Sequence, residues 1–190
     1  MASLKQELKQ ILVRRQHRLY ERELAAKNLT YDEWIRQQEE KVNISLFPEQ
    51  FAVSLAEHKC DEIFSRNKDA TVIGCDTIVV LDGEILGKPK DRDDAVNTLK
   101  RLSGKTHYVI TGVCVQNRHK RISDFEKTEV RFNILTDEFI NAYADGGSPM
   151  DKAGSYGIQD EGLVREYFGN YTNVVGLPVS LVKNMLKEVR

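Results

Sequence analysis

The sequence predicts an α/β protein, a mixed twisted sheet flanked by helices, preceded by a helical N-terminal segment. Three observations carry this. From Pro48 onward, stretches with helical spacing alternate irregularly with β-branched runs. Asp82-Gly83 is a two-residue hairpin signal, so at least one strand pair is antiparallel. No glycine precedes Gly74 and no proline precedes Pro48, and residues 1–41 carry nine Lys/Arg and seven Asp/Glu among good helix formers.

The elements follow in chain order. Leu4, Leu8, Ile11, Leu12, Leu19 and Leu24 fall close to one helical stripe. Thr30 and Glu33 then form a capping-box pair, so residues 1–44 read as a helical hairpin or one long broken helix. Arg14, Arg18 and Arg22 share a face there, either solvated or docking an acidic partner or RNA. Residues 48–66 form a helix with Pro48 in its first turn and Phe51, Leu55 and Ile63 turned inward. Residues 71–80 are a largely buried strand, paired through the hairpin with 84–86. Asp91 caps a helix to Leu102, with Asp93 and Asp94 in its first turn and Gly104 just past its end. Two strands, about 107–117 and 121–133, are joined by a polar turn. Thr136 caps another helix to about Asp145, closed by Gly146-Gly147. Residues 148–176 are Gly-rich and loop-like with short strands, and Pro178 opens a last amphipathic helix through Leu181, Met185 and Leu186.

Composition narrows the class. At 190 residues the chain suits one domain with an appendage, and a chain of this size buries about 70% of its unfolded surface without a disulfide or metal staple. A net charge of -1 speaks against a nucleic-acid footprint. No apolar run approaches the roughly 20 residues of a membrane span, and no signal-peptide core follows Met1. Cys60, Cys75 and Cys114 are odd in number and far apart along the chain, which suits reduced thiols in the cytoplasm. A cytoplasmic enzyme or binding domain is the expectation.

Three segments carry candidate chemistry. Asp76 lies in Gly74-Cys-Asp-Thr77, inside an apolar strand. A buried charge is costly unless it is paired or binds a metal. Asp76 is therefore either a general base or metal ligand, or an acid paired with a structural Arg or capping a helix. Gly83-Glu-Ile-Leu-Gly87-Lys88-Pro89 is one residue short of a Walker A loop and lacks its Ser/Thr. Lys88 in that constrained turn suits phosphate oxygens, or is an ordinary loop lysine. In Ser148-Pro-Met-Asp-Lys152-Ala-Gly154-Ser-Tyr-Gly157-Ile-Gln159, glycines let backbone approach a ligand, Lys152 can meet an anion, and Gln159 offers both a donor and an acceptor. A surface loop with turn glycines reads equally well from that composition. His17, His58, His107 and His119 lack metal-ligand spacing, and Cys75 reads as core packing.

Together these segments resemble the Maf family of nucleoside triphosphate pyrophosphatases, also called septum-formation inhibitor-like proteins. The resemblance runs from about Pro48 to Val182, through Leu55-Ala-Glu-His-Lys59, Gly74-Cys-Asp-Thr-Ile-Val79, Ile85-Leu-Gly-Lys-Pro89, Leu102-Ser-Gly104 with His107, Thr111-Gly112, Asp151-Lys-Ala-Gly154, Tyr156-Gly-Ile-Gln159 and Asn173-Val-Val-Gly-Leu-Pro178. It implies a Maf/ITPase-like fold over residues 45–190, with residues 1–44 a separate helical segment. It implies hydrolysis of a nucleoside triphosphate to monophosphate and pyrophosphate, with Mg²⁺ or Mn²⁺ whose ligands it leaves unassigned. By the same resemblance Asp76 activates water, Lys59 and Lys88 are active-site lysines that bind substrate, and Thr77 and Gln159 govern nucleobase choice; Lys152, read from its own loop, is a further substrate-binding lysine. The Asp-Thr and Gly-Ile-Gln pairings are similar to the branch acting on dTTP and UTP, or on modified pyrimidine nucleotides. No membrane or nucleic-acid partner is implied, and a homodimer is left open.

One departure stands out: the family's Ser-Pro-Arg-Arg turn, which binds the triphosphate, has no counterpart here. Arg14-Arg15 lacks the Ser-Pro and receives no role. A substituted, diverged or misassigned N-terminus explains this, and so does a catalytically silent nucleotide-binding or interaction protein. Loss of two such arginines removes several kcal/mol of charge-assisted contacts, about 1,000-fold in rate.

Overall fold

The computed structural model describes residues 48–189. The expected N-terminal helices, the Thr30/Glu33 cap, the domain boundary at residue 44 and the Arg14, Arg18 and Arg22 face lie outside the described residues. The elements are α1 (Pro48–Arg66), β1 (Val72–Leu81), β2 (Glu84–Leu86), α2 (Arg92–Leu102), β3 (Thr106–Gln116), β4 (Arg121–Phe132), α3 (Asp137–Asp145), β5 (Val164–Phe168), α4 (Tyr171–Val174) and α5 (Val179–Glu188). Short 3₁₀ turns at Ser148–Asp151 and Ala153–Ser155 fill the Gly-rich stretch.

The predicted local signals operate. Asp91 accepts from the Asp94 N–H at 2.8 Å and Thr136 from the Phe139 N–H at 3.2 Å, each taking up one orphan donor of a helix start. Asp82 (φ 52°) and Gly83 (φ 84°) are both left-handed, the geometry whose twist matches a two-residue hairpin.

Among the described residues the strands form one sheet in the order β2-β1-β3-β4-β5, antiparallel at every pairing. Helices cover both faces, as the α/β prediction requires. Successive side chains of a strand point to opposite faces. Ile78, Val80 and Ile110 pack against Phe51, Ala52 and Leu55 of α1 on one face. On the other, Val79, Val109 and Val130 meet Leu99 and Leu102 of α2, and Val113 and Val115 meet Val182 and Met185 of α5.

Two glycines set how closely α1 lies. A Cβ at Gly74 would stand 2.2 Å from the Ala56 carbonyl oxygen, and one at Gly112 2.1 Å from that of Ala52. The helix backbone thus rests on the sheet backbone, through Ala52, Ala56 and Cys60 at four-residue spacing. That row continues to Phe64, which is buried, and this corrects one expectation: Ile63 is 48% exposed. One residue is about 100° of rotation around a helix, so Ile63 falls off the row that the glycines select. Cys60 and Cys114, distant in sequence, share a buried cluster under this helix as free thiols. Arg121 of β4 reaches Glu57 at 3.4 Å and Asp61 at 3.0 Å and fastens the outer side of α1.

The sheet is interrupted at one place. Among the described residues β2 pairs only with Val79–Leu81, so β1 from Val72 to Ile78 has β3 on one side and no described strand on the other. Among the described residues this stretch of β1 is therefore an edge of the sheet.

Candidate active site

A cleft of about 880 Å³ opens along this edge, a volume that suits a small-molecule ligand. Its walls include Lys59, Asp76, Thr77, Lys88, Lys152 and Gln159, so these six candidate site residues line the same space. Apolar side chains such as Phe51, Leu55 and Val174 line the remainder.

Asp76 stands opposite Gly112 in the β1–β3 register, on the α1 face. Lys59 is one helical turn beyond Ala56, where the glycines bring α1 down, and its ammonium is ion-paired with the Asp76 carboxylate. The partner is therefore a lysine in the cleft, not a structural arginine. The Asp76 side chain is 16% exposed and that of Lys59 46%, so the acid is sheltered and its partner wet. Burial pushes the Asp76 carboxyl above the ordinary carboxylate range, against the opposing pull of the Lys59 and Lys88 ammonium groups. A carboxylate made more basic and held in place suits proton acceptance from water.

Lys88 comes from the exposed turn after β2. The Gly154 N–H donates to the Gly87 carbonyl at 3.0 Å, which ties the Lys88 turn to the 3₁₀ turn next to Lys152. Lys152 donates to the Ser148 carbonyl at 2.6 Å and to Asp151 at 2.7 Å, leaving one of its three N–H groups for a ligand. Lys88 has no hydrogen bond or ion pair among the described residues, so its charge is available to the cleft.

Thr77 follows Asp76 and so points to the opposite face of the sheet, where its hydroxyl is 2.9 Å from that of its register partner Thr111. Gln159 is exposed at the end of the Gly-rich loop. Its amide folds over Gly157, at which a Cβ would stand 2.8 Å from Gln159 Nε2. The loop is pinned from behind: Asp160 accepts from Tyr143 Oη at 2.5 Å and Ser148 Oγ at 3.0 Å. No sequence signal gives Asp160, Tyr143 or Asn173 a role. Asn173 is wholly buried and donates to the Val109 carbonyl at 3.1 Å and to Thr128 Oγ1 at 2.9 Å. A polar side chain with no periodic signal becomes legible only when strand register shows what it reaches.

A family model described as Maf-like protein matches residues 13–189. The chain belongs to the Maf-like family. The match begins well before Pro48, so family likeness extends into the N-terminal segment beyond the motifs. The chain is 47% identical over 152 residues to a protein from Bacillus velezensis named dTTP/UTP pyrophosphatase, covering 79% of this chain and 80% of that one. Maf-like relatives with the same name come from Thermococcus gammatolerans, 50% identical over 137 residues (71% and 74% covered), and Aquifex aeolicus, 45% over 140 residues (73% and 74%). Among the described residues no helix is long and apolar enough to cross a membrane.

Proposed function

We propose that this Maf-like chain hydrolyses a nucleoside triphosphate of the UTP and dTTP class to the monophosphate and pyrophosphate. The observation that carries the reading is the sheltered Asp76 carboxylate, paired with Lys59 at the edge of a cleft that Lys88 and Lys152 also enter. Relatives named for that activity support it.

The chemistry follows from the positions. Asp76 accepts a proton from a water molecule whose oxygen attacks phosphorus at the α–β bridge. The bridging P–O bond breaks and its electron pair leaves on pyrophosphate. Lys88 and the remaining donor of Lys152 meet the charge that builds there. Lys59 keeps the Asp76 carboxylate oriented before the transfer, and Thr77 and Gln159 hold the base.

The donor set also fits a divalent cation shared with substrate. Hard cations of the Mg²⁺ type take one or two carboxylates together with substrate phosphates, and among the described residues Asp76 and Asp151 are the two carboxylates that line the cleft. Among the described residues no group of three or more His, Cys, Asp or Glu could hold an ion alone. Such a cation, when bound, supplies positive charge to phosphoryl oxygens. The reading places the chain in the cytoplasm, a reducing compartment where free thiols such as Cys60, Cys75 and Cys114 persist.

The test is pyrophosphate release with Mg²⁺ or Mn²⁺ across the nucleoside triphosphates, with Asp76→Asn alongside. Turnover of UTP and dTTP that falls at least about 100-fold in the variant supports the assignment. Turnover surviving the substitution overturns the role of Asp76, and binding without release makes the chain a silent nucleotide-binding protein.

A further inference from the structure

Thr77 reaches the cleft as one end of a buried chain of hydroxyls. Both lone pairs of the Asn173 main-chain carbonyl are used: it accepts from the Gly176 N–H at 2.9 Å and from Thr111 Oγ1 at 2.9 Å. A carbonyl oxygen only accepts, so the single hydroxyl proton of Thr111 is committed to Asn173. Thr111 Oγ1 is also 2.9 Å from Thr77 Oγ1, and between these two the proton must come from Thr77. Thr77 is left with lone pairs and no proton for anything in the cleft. Thr111 and Asn173 are wholly buried, so no water rearranges the chain. Asn173 is held in turn by its bonds to the Val109 carbonyl and Thr128. Gly176, at φ +103°, keeps the approach clear, since a Cβ there would press on Thr77 Oγ1 at 3.2 Å.

We infer that Thr111, through Asn173, fixes the Thr77 hydroxyl as an acceptor, so the cleft takes a pyrimidine presenting a ring N–H, the uracil and thymine class. It disfavours one presenting a ring-nitrogen lone pair, the cytosine class. This rests on the reading of the cleft as a pyrimidine nucleotide site and names the group that enforces its choice. Gln159 cannot enforce it alone. Its exposed amide serves a carbonyl or an amino group equally well by turning over. Thr77 has no such freedom, because donating to a ligand would strip Thr111 of a buried hydrogen bond. Thr111 touches no ligand and is a positioning residue.

The experiment is equilibrium binding of UTP and CTP analogues whose α–β bridge is a methylene group, measured calorimetrically for the wild type, Thr111→Val and Thr111→Ser. Valine keeps the shape and removes the acceptor, which frees the Thr77 proton to point into the cleft. The expected result is a uridine preference that narrows about tenfold or more in Thr111→Val, mainly through tighter CTP analogue binding, and returns in Thr111→Ser. As a second variant, Thr77→Val narrows the preference by weakening the UTP analogue instead. An unchanged ratio in Thr111→Val overturns the inference, as does equal weakening of both analogues, or a wild type that binds both equally or neither. Pyrophosphate release by the wild type is scored separately. A uridine preference without release sinks the proposed reaction and spares this inference, while release with equal affinities does the reverse.

Discussion

Asp76 and Gly112 face each other across the β1–β3 ladder, and the side chain that Gly112 lacks makes the room in which α1 brings Lys59 onto Asp76. The ion pair at the cleft is thus a consequence of backbone contact between a helix and a sheet. Gly112→Ala places a carbon on the Ala52 carbonyl and obliges α1 to lift. The expected cost is about 1–3 kcal/mol in urea unfolding, with pyrophosphate release falling further than stability does. A variant as stable and active as the wild type would show that the close approach is dispensable.

Asp76→Asn separates function from stability. Burial raises the Asp76 carboxyl, so the folded state binds its proton more readily than the unfolded chain does. At neutral pH the ionised group therefore detracts from stability, and the wild type recovers that deficit as pH falls through the raised value. Asn carries no such charge. Calorimetry is expected to show Asp76→Asn melting no lower than the wild type at neutral pH, with any advantage shrinking on acidification. The same shift places the acid limb of the wild-type rate profile above the ordinary carboxylate range.

His107 gives a stability profile of opposite slope. It is wholly enclosed, bonded through Nε2 to Tyr156 Oη at 2.7 Å, and burial lowers its pKa from 6.5 to about 4. The unfolded chain takes the proton near pH 6.5 and the folded state only near 4. Stability accordingly falls as pH drops across that window, by up to about 3 kcal/mol. His107→Gln is expected to flatten this part of the profile in denaturant titrations between pH 7 and 4.

Gln159→Ala tests the base contact directly. The Gln159 side chain is exposed, so its truncation costs the fold little. The melting temperature is expected to stay within a few degrees, while kcat/KM for UTP drops about tenfold through the lost base contact. An undiminished kcat/KM would remove Gln159 from the base-binding group.

Lys88→Ala tests the unpaired cation. With no hydrogen bond or ion pair to lose among the described residues, stability should change by no more than about 0.5 kcal/mol. Pyrophosphate release should fall at least about tenfold, with a weaker response to added salt than the wild type shows.

Much of the architecture was legible along the chain, because its signals are local. Asp91 and Thr136 cap their helices, Asp82-Gly83 turns the hairpin, and the β-branched run around Asp76 is a strand. Asp76 itself was legible as a charge where an apolar side chain belongs, and Lys88, Lys152 and Gln159 through turns and glycines that invite a ligand. Ile63 departs from its expected inward position because periodicity gives the spacing of an inward face but not its rotation, which Gly74 and Gly112 set from another element.

Local sequence therefore accounts for the set of elements, their caps and turns, and the residue types that can do phosphate chemistry, since each depends on neighbours a few positions away. The packing of distant segments, in contrast, pairs Lys59 with Asp76 and sets Thr111 and Asn173 behind Thr77. Those relations join residues 17, 34 and 62 positions apart. Strand register and the depth to which a helix seats on a sheet create them, and neither is encoded in any one segment.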